Sequence, residues 1–88
     1  MKRNINVYPL YNYLKESSNA TNIDDSSLES GVYNNLTSGS FPLGMTSNAV
    51  LFVKKGLTTS YQTLHDDGNI FYREVVIGST RWSPWMFI

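Results

Sequence analysis

Residues 49–77 contain three apolar segments separated by two turn sequences, and this pattern predicts antiparallel β structure. AVLFVKK (49–55) is a continuous apolar run with β-branched residues, followed by TSYQTL (59–64) and IFYREVVI (70–77). Lys55-Gly56 begins the first turn, and HDDGN (65–69) forms the second, because Asp-Gly is a strong hairpin signal. Residues 49–77 are therefore expected to form three strands that pair in sequence order.

The sequence on either side of these three strands predicts further β structure, so residues 31–88 are expected to form a mainly β domain. VYN (32–34) is typical of a short strand, and a long loop rich in Gly, Ser and Asn follows it. WSPWMFI (82–88) is expected to close the sheet as an edge strand, because Pro84 has no N–H for a central ladder. The expected fold is a small antiparallel meander of about four strands.

Residues 1–30 form a separate part of the sequence, a short helix followed by a polar linker. Val7, Leu10, Tyr11 and Leu14 recur at helical spacing within residues 1–16. A helix of this length is marginal in water, so it must dock on the chain's own sheet or on a neighbouring subunit. Residues 17–30 are rich in Ser, Asn and Asp, with Ile23 and Leu28 as their only sizeable apolar anchors.

Composition excludes several classes of function. The 88 residues include no cysteine and one histidine, which removes disulfides, thiolate metal sites and thiol catalysis, and no metal or other cofactor is expected. Seven basic and seven acidic side chains cancel, which argues against a nucleic-acid partner. No stretch approaches the roughly 20 apolar residues of a membrane span. A core this small, with neither disulfide nor metal, favours oligomerisation.

The few residues that suggest catalysis are better explained by turn chemistry. Asp66 and Asp67 are adjacent and precede Gly68, whereas a glycosidase holds two carboxyl groups across a sugar in a cleft. His65 is expected to be solvated at the edge of the same turn, and Glu74 lies on the following strand. The sequence therefore predicts a protein that is not an enzyme.

The order of features after residue 30 resembles the pyocin-knob family, the small β domains of bacteriophage and R-type pyocin tail fibres. ESGVY (29–33) fits the first strand of that pattern, and a loop with SFP and the apolar strand AVLFV follow. A strand with Gln, a Tyr-Arg strand and a W-x-x-W ending complete it. The positions that carry the pattern here are Gln62, Tyr72, Arg73, Trp82 and Trp85.

This resemblance implies a virion protein with a role in host attachment. Domains of the family are usually trimeric and lie on a tail or head fibre, near the part that meets the host surface. The implied partners are two further copies of the chain, other fibre or tail proteins, and a host-surface polysaccharide. Such fibres are long chains, so an 88-residue chain is expected to be either an excised piece or a small separate virion protein.

Two other functions stay open at this point. A structural module that trimerises or joins virion parts would need no ligand of its own. A domain attached to a polysaccharide depolymerase would leave catalysis to residues outside this chain.

The aromatic residues of the last strands are the candidate glycan site. Tyr61, Tyr72, Arg81 and Trp82 are the expected ligand-binding residues, together with the loop from Phe41 to Asn48. Tyrosine and tryptophan suit this role because each has a flat apolar face and a polar group.

The two tryptophans have a structural interpretation as well. Either ring could pack on Tyr72 and Phe52 in the core, with its indole N–H bonded to a backbone carbonyl. Trp82 is expected to face outward and Trp85 to lie in the core. Arg73 shares a face with Phe71 and Val75, and is expected to pair with a carboxylate or backbone carbonyls or to stack on an aromatic ring.

Overall fold

The computed structural model describes residues 18–19 and 22–88, and it contains a single six-stranded sheet. The strands lie side by side in the order in which they occur in the chain. Their bounds are β1 Ser18–Asn19, β2 Gly31–Asn34, β3 Val50–Lys55, β4 Thr59–Asp66, β5 Asn69–Val76 and β6 Met86–Phe87.

The five strands β2 to β6 pair antiparallel, and only β1 runs parallel to its neighbour β2. The prediction of a mainly β antiparallel meander is therefore confirmed. Within residues 22–88 the structure contains no helix. The predicted N-terminal helix falls on residues 1–16, outside the described residues, and the trimer stays a prediction.

The turn between β4 and β5 follows directly from its sequence. Asp66 pairs with Asn69, which leaves Asp67 and Gly68 as a two-residue loop. Both residues have positive φ, 50° and 88°, as a type I′ turn requires. Glycine takes this conformation without steric cost, and Asp is among the few other residues that tolerate it. The hairpin therefore fixes the register of the two longest strands.

Alternation along the strands gives the sheet two faces, and the core lies on only one of them. Side chains at every second position, Leu51 and Val53 on β3 and Leu64 on β4, are buried and define the first face. Tyr33 on β2 extends this cluster, and its hydroxyl donates a hydrogen bond to the carbonyl of Glu29 at 2.6 Å. The opposite positions form the second face.

Loops rather than helices cover the first face within the described residues. Ile23 is fully buried in the core cluster, although it belongs to the segment predicted as a linker. Its N–H donates to the carbonyl of Ser38 at 3.0 Å, so two loops are joined over the sheet. Four other loop side chains pack on the cluster: Leu28, Leu36, Phe41 and Met45. The predicted anchors Ile23 and Leu28 thus both reach the core, while the division of the chain at residue 31 stays a prediction.

Three details differ from the expectation. Strand β1 at Ser18–Asn19 lies in the segment predicted as a linker. The predicted edge strand at residues 82–88 is reduced to Met86–Phe87, because Pro84 cannot donate to a ladder and both tryptophans bond elsewhere. His65 was expected to be solvated at a turn, but it is half-buried on β4, with its ring 4.6 Å from that of Phe52. The hairpin turn begins only at Asp67, and this leaves His65 inside the strand.

Candidate functional site

Arg73 is the largest buried side chain among the described residues, at 2% exposure on the first face of β5. Its Nε donates to Oε1 of Gln62 at 2.8 Å, on the neighbouring strand. Its Nη2 donates to the carbonyl of Ile23 at 3.0 Å and to Oδ1 of Asp24 at 2.9 Å. Gln62 in turn donates from Nε2 to the same Ile23 carbonyl at 2.8 Å. The planar guanidinium group thus joins two strands to the loop above them.

Asp24 links this arginine to a second loop. Its carboxylate also accepts hydrogen bonds from the backbone N–H and the hydroxyl of Ser40, each near 3.0 Å. Burial raises the pKa of the Asp24 carboxyl, but the bonds from Ser40 and Arg73 outweigh burial and hold this pKa below its ordinary value. Burial likewise lowers the pKa of Arg73, and the carboxylate of Asp24 opposes that effect. Arginine nevertheless stays protonated in proteins, so the two groups form an ion pair.

Both tryptophans stack on this guanidinium group. The centroid of the Trp82 ring lies 3.9 Å from the Arg73 Cζ atom, and that of Trp85 lies 4.4 Å away. The indole N–H of Trp82 donates to the carbonyl of Asp24 at 2.9 Å, and that of Trp85 donates to the carbonyl of Ser40 at 2.8 Å. We call Arg73, Gln62, Asp24, Trp82 and Trp85 the arginine network.

These contacts partly confirm and partly correct the expectations for the tryptophans. Trp85 packs on the core cluster, and each indole N–H meets a backbone carbonyl, as expected. The expected partners Tyr72 and Phe52 are wrong, because both side chains project from the second face. Trp82 does not simply face outward; it is half-buried like Trp85. The expected environment of Arg73, with a carboxylate, a carbonyl and aromatic rings, is confirmed in full.

A cleft of about 630 Å³ opens beside the arginine network. The segment from Thr80 to Trp85 forms one wall, and Asn22, Asp24 and Ser40 come from the two loops opposite. A smaller cavity of about 270 Å³ lies on the other side of that segment, against β5, where Glu74 contributes to its lining. Arg81 and Trp82 line both cavities, so aromatic and charged groups are available on both sides of one short segment.

The four predicted ligand-binding residues form two pairs, one at the cleft and the other on the second face of the sheet. Arg81 and Trp82 line the cleft, and Arg81 is exposed. Tyr61 and Tyr72 lie on the second face instead, and both are next to Glu74: Tyr61 pairs with it across the strands, and the Tyr72 hydroxyl donates to its carboxylate. Glu74 therefore lies between the pair Tyr61 and Tyr72 and the pair Arg81 and Trp82.

The loop from Phe41 to Asn48, also predicted to contribute to the site, does not line either cavity. It is held against the end of the β4–β5 hairpin instead. The backbone N–H of Thr46 donates to the buried Asp66 at 2.7 Å, and the Thr46 hydroxyl bonds to the same carboxylate. Phe41 and Met45 point into the core.

The acidic residues considered for catalysis each have a local partner. Asp66 anchors the loop at Thr46, Asp67 forms the turn, and Glu74 accepts the hydroxyl of Tyr72. Among residues 22–88, no group of three or more His, Asp or Glu side chains is placed to hold a metal ion. The same residues include no helix with the length and hydropathy of a membrane span.

Sequence reasoning did not find Asn22, Asp24 and Ser40, which form the far wall of the cleft. All three lie in segments of many similar Ser, Asn and Asp residues, so no local pattern distinguishes them. An unpaired arginine on an apolar strand predicts that a carboxylate exists, but not which one.

No protein-family model matches the chain, and no curated protein or solved structure was found to be similar.

Proposed function

We propose that this chain is a non-enzymatic attachment module of a bacteriophage or pyocin-type tail fibre, and that it binds a host-surface glycan. The single observation that carries the proposal is the cleft beside the arginine network, where Trp82 and Trp85 stand opposite polar groups of Asn22 and Ser40. Ligand sites typically combine apolar walls with a few oriented polar groups, and sugars need both.

The arginine network supports the resemblance to the pyocin-knob family. Four of the five positions that carry that pattern are in direct contact: Gln62, Arg73, Trp82 and Trp85. Residues that meet in one buried network are related by packing, so their joint occurrence in the sequence has a physical cause. Tyr72 is the exception, since it lies on the second face.

The proposed mechanism is multivalent binding. Each copy binds a sugar weakly at Arg81 and Trp82, and three copies on one fibre raise the effective concentration of the remaining sites. Arg73 also lines the cleft, but only 2% of it is exposed and its charge is paired with Asp24, so its proposed role is to position the two rings.

Replacing Arg81 with alanine tests this site with little risk to the fold, because Arg81 is exposed. Binding of the full chain to an array of bacterial surface glycans is expected to weaken about 10-fold or more, as for a lost hydrogen bond to a charged group. Lys54→Ala is the matched control, since it removes the same charge from the second face. Equal binding by the two variants would contradict the proposed site.

A purely structural assembly module is the second candidate, and one observation favours it. Both indole N–H groups bond to backbone carbonyls, and both rings stack on Arg73, so the tryptophans already stabilise the fold. In that case the wild-type chain would bind no glycan on the array, while it would still associate with itself.

A further inference from the structure

The arginine network already uses the carboxylate and both indole N–H groups that line the cleft. The carboxylate of Asp24 accepts hydrogen bonds at both of its oxygens, from Ser40 and from Arg73. The indole N–H groups of Trp82 and Trp85 donate to backbone carbonyls. Asp24 is the one carboxylate among the described residues that line the cleft, so the cleft has no carboxylate left to accept from a ligand.

Two side chains on the walls of the cleft keep hydrogen-bond donors that the fold does not use. Oδ1 of Asn22 accepts from the backbone N–H of Asp24 at 3.0 Å, which leaves the amide nitrogen as the unused end of the group. Arg81 is exposed, and within residues 18–19 and 22–88 its guanidinium group forms no ion pair. An amide nitrogen and a guanidinium group donate and do not accept. The unused charged and amide groups of the cleft are therefore donors.

The charges around the cleft favour the same kind of ligand. Arg73 and Asp24 lie 2.9 Å apart and neutralise each other. Arg81 therefore gives the cleft wall one positive charge that no other residue of that wall balances. Glu74 lines only the smaller cavity on the other side of the segment, where its carboxylate accepts the hydroxyl of Tyr72.

A wall that offers donors and a positive charge suits an anionic ligand better than a neutral one. A guanidinium group has parallel N–H donors that match the oxygens of a carboxylate or a phosphate. The hydroxyl groups of a neutral sugar donate as well as accept, so they need acceptors that the cleft has largely used on Arg73 and Ser40. Trp82 lies next to Arg81 and supplies the apolar surface for the sugar ring.

We propose that the ligand of the cleft is an acidic glycan, with a carboxylate or a phosphate on its sugars. Arg81 binds the anionic group, and the amide nitrogen of Asn22 donates to the glycan from the opposite wall. Carboxylate and phosphate share the chemistry that Arg81 recognises, an anion with several acceptor oxygens. This inference rests on the proposed function and narrows its ligand to one chemical class.

Glycans that differ only in charge provide the test. The full chain is applied to an array of bacterial polysaccharides in which each acidic glycan lies beside its carboxyl-reduced or dephosphorylated form. The acidic forms are expected to bind about 10-fold or more tightly, as for a hydrogen bond between charged groups. The treatment that weakens binding identifies the anion as a carboxylate or a phosphate.

Substitutions on the two walls of the cleft should reduce this preference, whereas one elsewhere should not. Arg81→Ala is expected to bind the acidic and neutral forms about equally. Asn22→Asp keeps the oxygen that accepts from Asp24 but adds a negative charge, and it should lower the preference about 5-fold. Asn69→Asp is the matched control, because it adds the same charge at the exposed start of β5 and lines neither cavity.

The outcomes separate this inference from the proposed function. Equal binding of acidic and neutral forms by the wild type would overturn the inference and leave the attachment function in place. An acid preference that is unchanged in Arg81→Ala would overturn the role of Arg81. If the wild type bound no glycan on the array, the attachment function and this inference would both fail.

Discussion

Arg73 shows how one residue can organise a small all-β core. An arginine on the inner face of a strand would be costly alone, since a buried charge without partners is strongly unfavourable. Here it bonds to Gln62, to the carbonyl of Ile23 and to Asp24, and two indole rings stack on it. The residue therefore replaces the disulfide or metal that a small domain often uses to join distant segments.

Substitution of Arg73 is expected to affect stability strongly. Arg73→Ala should lower the free energy of unfolding by roughly 3–5 kcal/mol, because it removes one member of a mostly buried ion pair. Arg73→Lys keeps the charge but lacks the planar arrangement of donors, so a loss on the order of 2 kcal/mol is expected. Urea unfolding measures both, with Arg81→Ala as the exposed control. If Arg73→Lys were as stable as the wild type, the positive charge alone would account for the contribution of Arg73 to stability.

The hydrogen bond of Tyr72 is expected to make the stability of the protein fall at alkaline pH. Its hydrogen bond to Glu74 raises the pKa of Tyr72 to about 12, from an ordinary value of 10.0. Because the pKa of Tyr72 is higher in the folded than in the unfolded protein, the hydrogen bond's contribution to the free energy of unfolding is intact below pH 10. It is lost as the pH rises towards 12. Tyr72→Phe should show a smaller decline of unfolding free energy over that range, and one fewer tyrosine should titrate near pH 12 by ultraviolet absorbance. An unchanged decline in Tyr72→Phe would rule out this origin.

At the scale of elements, the loop from Asn35 to Ser40 depends on a glycine that lies close to the core. Gly39 has a φ of +122°, and a Cβ atom placed there would lie 2.6 Å from Cγ1 of the buried Ile23. The same loop supplies the carbonyl of Ser38 to Ile23 and the hydroxyl of Ser40 to Asp24. The loop thus approaches the core so closely that only glycine fits.

Comparison of two glycines separates backbone strain from crowding. Gly39→Ala is expected to destabilise the fold by roughly 2–5 kcal/mol, from the positive φ and from overpacking against Ile23. Gly44 has a φ of +86° with open space around its Cβ position, so Gly44→Ala should cost roughly 1–2 kcal/mol. Thermal unfolding of both variants measures the difference. Equal losses would mean that Ile23 moves aside without cost.

At the scale of the whole molecule, the chain has two surfaces that an isolated single-layer sheet would leave open. The second face is one, and the edge at β6 is the other, where Phe87 and Ile88 are exposed by 67% and 72%. Exposed apolar side chains grouped at a sheet edge favour association. The proposed trimer would use this edge.

Light scattering of the full chain tests the trimer. The expected mass is three times the 10.0 kDa of one chain. Phe87→Ser is expected to shift the assembly towards monomers, because it removes exposed apolar area at β6. Leu43→Ser is the matched control, since Leu43 is equally apolar and fully exposed in a loop. A monomer at micromolar concentration in the wild type would remove the trimer from the proposed mechanism.

The central strands β3 to β5 and the turns between them follow largely from the sequence alone, whereas the candidate site does not. The apolar runs of β3 and β5 and the Asp67-Gly68 turn are local properties, so a short window of residues contains the information for them. Their order also predicts the meander, because short turns leave consecutive strands no other neighbour.

Only the tertiary structure decided which residues contact Arg73 and which groups the two tryptophans bind. The partners of Arg73 in the loops, Ile23 and Asp24, lie 50 and 49 positions away in the sequence. Trp82 bonds to a carbonyl 58 positions away. No local pattern distinguishes Asp24 from its neighbour Asp25. The choice between them arises when the loop closes over the sheet, because only then does one carboxylate come within reach of the buried guanidinium group.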